Sequence, residues 1–350
     1  MSAKTLIKKS LYELCRLGGV NRFLRRKHRS ELLILNYHGV VIGEYVRADL
    51  SESVESFLHR NAISLVRFRD QLKMLRKQFH PVAAQDVLDW VGGRVELPPN
   101  PVLVTFDDGF QNNATVAAPV LEELGIPAVF HVTTGYIGTR RILWPLELDQ
   151  LILQWPHEKL PLPTNGDELI MPASRVQRCD VCETVRKRCK SIPNSAREEY
   201  LNSLRAMSPL DGSTVDEELN AFMSWDEVRS LAERGFAIGS HTVEHPILTK
   251  LDEQELCREL QESKRTIEQE TGRECPILAY PNGGPEDVSP QVVDAAESAG
   301  YKLGLTLLRG FNQRETPSLK MNRINISSDI GLAEFQAMAS GLYTLLKGTS

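Results

Sequence analysis

The feature that most constrains the fold of this chain is a repeated change of period. From Leu32 onward, short apolar runs that end in polar clusters alternate with stretches of helical spacing. The runs are LLILNYH (32–38), PVLVTF (101–106), PAVFHV (127–132), FAIGS (236–240), PILAY (276–280), YKLGLT (301–306) and RINI (323–326). Helical patterns occupy 66–78, 115–124, 225–234, 253–271 and 289–299. Strands that are apolar on both faces need cover on both sides, and intervening helices provide it in a parallel sheet. The expected class is α/β, and seven such strands suit a barrel better than a small open sheet. Residues 140–222 break the rhythm with Pro145, Pro156, Pro161, Pro163, Pro172 and Pro193. They read as a largely helical or irregular insertion between two barrel strands.

A chain of 350 residues can build a large core, so no metal or disulfide is needed merely to hold it together. The net charge of −5 argues against a nucleic-acid partner, which calls for a basic surface. Residues 1–30 nevertheless carry nine Lys/Arg against one acid, Glu13. Within them, Leu6, Ile7, Leu11, Leu14 and Leu17 fall at roughly helical spacing between lysines. This basic amphipathic segment reads either as an interfacial helix on anionic lipid or as an ordinary first helix with a charged outer face. The remainder, 31–350, is one barrel interrupted by the insertion. A secretory signal and a membrane-length apolar stretch are both absent from the pattern, so the expected location is cytoplasmic, with peripheral contact at the inner membrane face. Six sparse cysteines fit reduced thiols. Cys179, Cys182 and Cys189 could ligate a second zinc only with a fourth ligand, and basic neighbours such as Arg186 and Arg188 favour an ordinary helix surface.

In parallel α/β folds, catalytic groups collect at the carboxyl ends of strands. The polar residues there are His38, Asp107, Asp108, His131, His241, His245, Tyr280 and Arg323. Two adjacent carboxylates repel, which raises the pKa of one, and a cation bound to one removes the difficulty. Asp107-Asp108 also reads as a loop pair or Asx turn. His241 and His245 are four apart, and Pro246 disfavours the α conformation at His245, so the pair belongs to a strand-end turn. Two histidines and one aspartate make a metal site with positions open to water.

TFDDGF (105–110), SHTVEHP (240–246) and LAYPNGG (278–284), supported by NYHGV (36–40), PAVFHVTTGYIG (127–138) and Met223-Ser224-Trp225, resemble the successive motifs of the polysaccharide deacetylase family, carbohydrate esterase family 4, with its NodB-homology domain. The resemblance implies a distorted (β/α)7 barrel, a divalent metal (most often Zn2+) and a hydrolase that removes acetyl groups from N-acetylated sugars. Carried over, Asp107 is the general base, and Asp108, His241 and His245 bind the metal. A backbone N–H near Tyr280 joins the metal in holding the oxyanion.

The chain departs from the usual pattern in two places. The C-terminal Leu-x-His segment that supplies the acid has no counterpart, since no histidine follows His245. The third motif also lacks its arginine. A subset of the family opens with Tyr-His on its first strand, in what resembles a circular permutation of the barrel, and Tyr37-His38 matches it. His38 is then the expected acid, with His131 its rival, and Arg323 on the last strand is a substitute for the arginine or else an ordinary ion pair. Trp144 and Trp225 are candidates for sugar stacking, but residues so placed are more often packing anchors. The resulting expectation is a metal-dependent deacetylase acting on an N-acetylated sugar or glycan, with a lipid-linked or nucleotide-linked intermediate suiting the location. The rival readings are an amide or formamide hydrolase on the same scaffold and an inactive glycan-binding relative.

Overall fold

The computed structural model describes residues 12–13, 19–43, 62–164, 166–208 and 217–342, with backbone alone at 217–218. The expected helix at 4–17 lies almost wholly outside them. The chain begins with α1 (Val20–Lys27), β1 (Leu33–Tyr37), β2 (Gly39–Val41), β3 (Ala62–Ser64), α2 (Leu65–Gln78), β4 (His80–Pro81), α3 (Ala84–Val91) and β5 (Pro101–Phe106). A π-helical turn, Asn113–Ala117, runs into α4 (Ala118–Leu124), followed by β6 (Ala128–Val132). The insertion holds α5 (Trp144–Leu153), an antiparallel hairpin of β7 (Lys159–Pro161) and β8 (Glu168–Ile170), α6 (Arg175–Ser191) and α7 (Asn194–Met207). After α8 (Glu217–Asn220) come α9 (Trp225–Glu233), β9 (Ala237–Ser240), α10 (Glu253–Thr271), β10 (Ile277–Ala279), α11 (Pro290–Ser298), β11 (Leu303–Leu305), β12 (Ile324–Asn325) and α12 (Leu332–Ala339).

All seven expected strands form, in the order β11-β10-β9-β6-β5-β1-β12, every pair parallel, with the short β4 added beside β5. The two ends of this sheet meet at one point. Met321 bridges Leu305 of β11 in parallel, its N–H donating to Gly304 O at 2.9 Å while Thr306 N–H donates to Met321 O at 2.8 Å. Because Met321 lies on the segment that continues into β12, this contact curls the sheet into a distorted barrel. The pairing of β2 with β3 was not foreseen from sequence: three-residue strands are too short to show a period.

Side chains alternate across each strand, so the barrel has an outer and an inner column. Leu33, Leu35, Tyr37, Val104, Phe106 and Phe130 face the helices and join the main apolar core. Leu32, Ile34, Leu103, Val129, Ile277 and Leu303 face inward, and Val87 and Trp90 of α3 pack against them. Toward the carboxyl ends the buried residues of the inner column become polar, Asn36, Thr105 and His131, and Arg323, from just before β12, reaches the first two with its side chain. The helices begin where local chemistry says they should. Ser224 with Glu227, and Asp252 with Glu255, form capping boxes for α9 and α10, and Gly272 (φ 65°) ends α10. The insertion has its own apolar cluster, which includes Trp144, Leu151, Trp155, Val185 and Leu201. Cys182 and Cys189 are buried in that cluster, which leaves them as packing groups.

Candidate active site

The strand register brings distant residues to one level. Tyr37, Phe106 and Phe130 are paired neighbours on β1, β5 and β6, and their rings stack on the outer face with centroids 5.6 and 4.8 Å apart. The next residue on each strand, His38, Asp107 and His131, turns inward at the same height. His131 lies opposite Gly239 of β9, where a Cβ would sit 2.3 Å from the imidazole Cδ2. The glycine makes room for the ring. His38 is fixed from behind by the π-helical turn: Asn113 Nδ2 donates to His38 O at 2.6 Å, and Val40 N–H donates to Asn112 Oδ1 at 3.1 Å.

Arg323 is fully buried and grips Asp107 with both arms of its guanidinium, Nη1 to Oδ1 and Nη2 to Oδ2, each at 2.8 Å. Its remaining donors reach Thr306 O (3.0 Å), Asn36 Oδ1 (2.9 Å) and Thr105 Oγ1 (3.2 Å). A planar fork matched to a carboxylate is the strongest neutralisation a buried aspartate can find. Burial pushes the Asp107 pKa up, but Arg323, His241 and His131 outweigh it and hold the group well below the usual carboxylate range. His131 Nδ1 lies 3.0 Å from Phe106 O and 3.1 Å from Asp107 Oδ1. It is completely buried and does not line the cavity, so it steadies Asp107 from behind and the expectation that it competes as the acid is not met.

Asp108, His241 and His245 form a second cluster. Asp108 Oδ1 is 3.5 Å from the Nε2 of each imidazole, and the three ligand atoms all lie within 4.8 Å of one another. A tetrahedral ion with bonds of roughly 2.1 Å places its ligand atoms about 3.4 Å apart, which the two 3.5 Å separations from Asp108 match. His241 Nδ1–H donates to Ala279 O at 2.7 Å, which leaves the Nε2 lone pair facing Asp108. Burial keeps both rings neutral: the His241 pKa falls to about 4 and that of His245 well below its ordinary value. Burial and the neighbouring Asp107 push Asp108 well above the carboxylate range, a repulsion that a bound cation would relieve. The donor set therefore fits a divalent metal. Among the described residues it is also the one cluster of three His, Cys, Asp or Glu groups arranged to hold an ion, so no second site forms around the cysteines.

The backbone at these ligands is locally costly. Asp108 (φ 75°), Thr242 (φ 69°) and His245 (φ 53°) all adopt left-handed conformations. Such conformations persist only when the surroundings hold them. Thr133 N–H donates to Asp108 O (3.3 Å) and Met223 N–H to Gly109 O (3.0 Å). The histidine loop is tied by Thr242 Oγ1, which accepts from His245 N–H (3.1 Å), and by Glu259 Oε2, which accepts from both Val243 N–H and Glu244 N–H at 2.9 Å. Trp144 Nε1–H donates to His245 O at 3.2 Å.

His38, Asp107, Asp108, His241 and His245 all line one cavity, together with Leu143, Trp144, Pro145, Lys190, Ile247, Pro281, Asn282, Leu307 and Asn325. Burial lowers the His38 pKa to about 4, with Asp107 opposing. Two expectations are corrected. Tyr280 turns its hydroxyl outward to donate to Leu319 O at 2.9 Å, and its N–H is taken by Leu305 O at 3.0 Å, so it offers no oxyanion donor. Trp225 opens α9 and packs on the main core rather than lining the cavity. The value of the Met-Ser-Trp run is its backbone: Met223 bonds both Gly109 and Gly138, holding the Asp-Asp-Gly turn. Sequence reasoning missed Glu259, Lys190, Asn282 and Asn325. A glutamate at an inward position of an amphipathic helix was a weak signal for the first; the others gave none.

Fold and site together define a class: a parallel α/β barrel with an Asp-His-His cluster and a neighbouring carboxylate where its strands end. The chain belongs to the polysaccharide deacetylase family, whose model matches residues 94–163 and 198–304, just over half of the chain. The unmatched gap covers α6, and both Tyr37-His38 and Arg323 lie outside the matched segments. YxkH of Bacillus subtilis, named provisionally as a polysaccharide deacetylase, is 27% identical over 112 residues, 32% of this chain but only 39% of YxkH. Among solved structures, the Streptococcus pyogenes deacetylase PplD in complex with acetate aligns with a TM-score of 0.56 at 16% identity, covering 92% of this chain and 99% of its own. IcaB from Ammonifex degensii aligns at 0.54 and 20% identity, covering 89% and 97% respectively. At these identities the two structures attest the fold.

Proposed function

We propose that this protein is a metal-dependent hydrolase that removes acetyl groups from an N-acetylated sugar or glycan. The observation that carries the reading is the convergence in one cavity of an arginine-clamped Asp107, the Asp108–His241–His245 cluster and His38. A divalent ion held by that cluster, zinc in this reading, supplies Lewis acidity toward water and the acetyl carbonyl. Asp107 accepts the proton of the attacking water at a carboxylate oxygen. The Arg323 clamp keeps Asp107 ionised and aimed, and also makes it a weak base, suited only to an acidified water. His38 protonates the departing amine. Because burial keeps its ring neutral at rest, His38 must gain a proton during turnover before it can give one up. The absence of a histidine after His245 supports this role, which is the one expected of the family subset that opens with Tyr-His.

Acetate release from defined N-acetylated glycans tests the reading, with and without chelator, for wild type and Asp107→Asn. Release that stops on chelation, returns with zinc and is abolished in Asp107→Asn supports it. Turnover of formamides or cyclic amides in place of acetylated sugars favours the amide-hydrolase alternative, and stoichiometric metal without any turnover favours an inactive glycan-binding relative.

The substrate in this reading is lipid-linked and met at the inner face of the cytoplasmic membrane. Supporting it, α1 presents Phe23, 69% exposed, between the exposed cations Arg22 and Arg26. No helix among the described residues is long and apolar enough to cross a membrane. Salt-sensitive binding to anionic vesicles that Phe23→Ser weakens is the expected result; no binding at low salt removes this part of the reading.

A further inference from the structure

The insertion is more than an appendage, because it supplies one wall of the catalytic cavity. Leu143, Trp144 and Pro145 come from its start, and Lys190 reaches in from the end of α6. The other buried cations of this region are matched: Arg186 pairs with Asp149, and Arg197 stacks on Trp144 and bonds Glu198. Among the described residues Lys190 makes no direct ion pair, and the carboxylate whose charge acts on it, Asp287, is already bonded to Asn282 and Gly284. Its ammonium donates to Asn282 Oδ1. Asn282 is locked in turn, its Nδ2 donating to Asp287 Oδ2 at 2.5 Å, and the same oxygen accepts from Gly284 N–H at 2.8 Å. An ammonium has three N–H donors, so two remain, along with the charge.

The cavity's own acids do not account for that charge. Asp107 is neutralised by Arg323, and Asp108 faces His241 and His245 in the cluster that fits a metal ion. A half-buried cation without a direct ion pair is costly unless a ligand completes it, and charge-assisted bonds to anionic oxygens are the strong way to do so.

Resting on the deacetylase reading, we infer that Lys190, held by Asn282, determines substrate specificity by binding an anionic group, phosphate or carboxylate, carried on the sugar beside the acetamido group. Lys190 is a binding residue in this account and takes no part in the chemistry.

The test compares three substrates: the methyl glycoside of N-acetylglucosamine, its 1-phosphate, and the glycoside with a carboxylate at carbon 6. Wild type is expected to favour at least one anionic form over the neutral one by about tenfold or more in kcat/KM, mainly through KM, the scale of one good charge-assisted contact. The phosphate and carboxylate arms show which anion is preferred. Lys190→Gln, which keeps a donor for Asn282, should bring the ratio close to one, and Lys190→Arg should restore most of it. A merely structural tie between insertion and barrel would lower turnover of all three substrates together and leave the ratio unchanged. A wild-type ratio near one, or an unaltered ratio in Lys190→Gln, overturns the proposal. If wild type releases no acetate from any of the three, these monosaccharides are not its substrates, the glycan assay above decides the deacetylase reading, and calorimetric binding of the sugar phosphate decides the role of Lys190. Affinity weaker by about fivefold or more in Lys190→Gln sustains it, and equal affinity overturns it.

Discussion

Asp107 and Arg323 are the pair on which the chemistry turns. They lie 216 residues apart in sequence and share two hydrogen bonds at 2.8 Å, both side chains buried. Arg323→Lys keeps a charge but loses the fork, and kcat should fall by about a hundredfold or more as Asp107 loses its aim. The sign of the accompanying pH change follows from the clamp. Arg323 depresses the Asp107 pKa, so weakening the clamp raises it, and the acid limb of the kcat/KM profile should move to higher pH. Truncation to Arg323→Ala strands a buried carboxylate and should cost about 3–5 kcal/mol in denaturant unfolding. His38 makes a second prediction: His38→Gln should retain metal while turnover drops by roughly 10²–10⁴, the range of a lost general acid. The metal cluster and Asp107 were legible in the sequence because adjacent acids and spaced histidines at strand ends are chemically conspicuous. Arg323 was legible only as a guess, since nothing local in RINI says that an acid lies two strands away, at the end of β5. The supposed oxyanion donor at Tyr280 failed because a strand residue's N–H is usually claimed by the adjacent strand, as Leu305 O claims this one.

At the scale of elements, the histidine loop depends on α10. Glu259 is 1% exposed and holds two backbone N–H groups of that loop, while burial raises its own pKa. Glu259→Ala should therefore weaken zinc binding by about 10- to 100-fold without removing any ligand, as supporting partners of metal ligands do. Isothermal titration against the ion measures this, and unchanged affinity would show that the loop holds itself. Strands such as β5 and helices such as α10 were legible to the residue, because six buried positions, five of them apolar, or nineteen amphipathic ones give an unambiguous period. The insertion was legible only as an interruption. Its helices show little one-sided patterning, and its contribution to the cavity depends on how α5 and α6 dock, which sequence spacing does not encode.

For the whole molecule, the barrel gathers several buried neutral imidazoles in one place. His38 and His241 have pKa values near 4 in the folded protein against about 6.5 when exposed. Between those values the unfolded chain binds more protons, so stability rises with pH and is lost as pH falls from about 6.5 toward 4. Metal-free protein should lose up to about 1.4 kcal/mol per pH unit for each such group, seen as a falling Tm. Zinc binds only the folded cluster and should oppose this loss, adding about 2.7 kcal/mol at a hundred times its Kd.

One titration addresses the central claim directly: zinc added stepwise to metal-free protein while acetate release from an N-acetylated glycan is followed. The account predicts activity that rises to a plateau at one ion per chain, with no activity at any zinc level in Asp108→Asn. Full turnover before any zinc is added, or a plateau that survives the loss of Asp108, would contradict it.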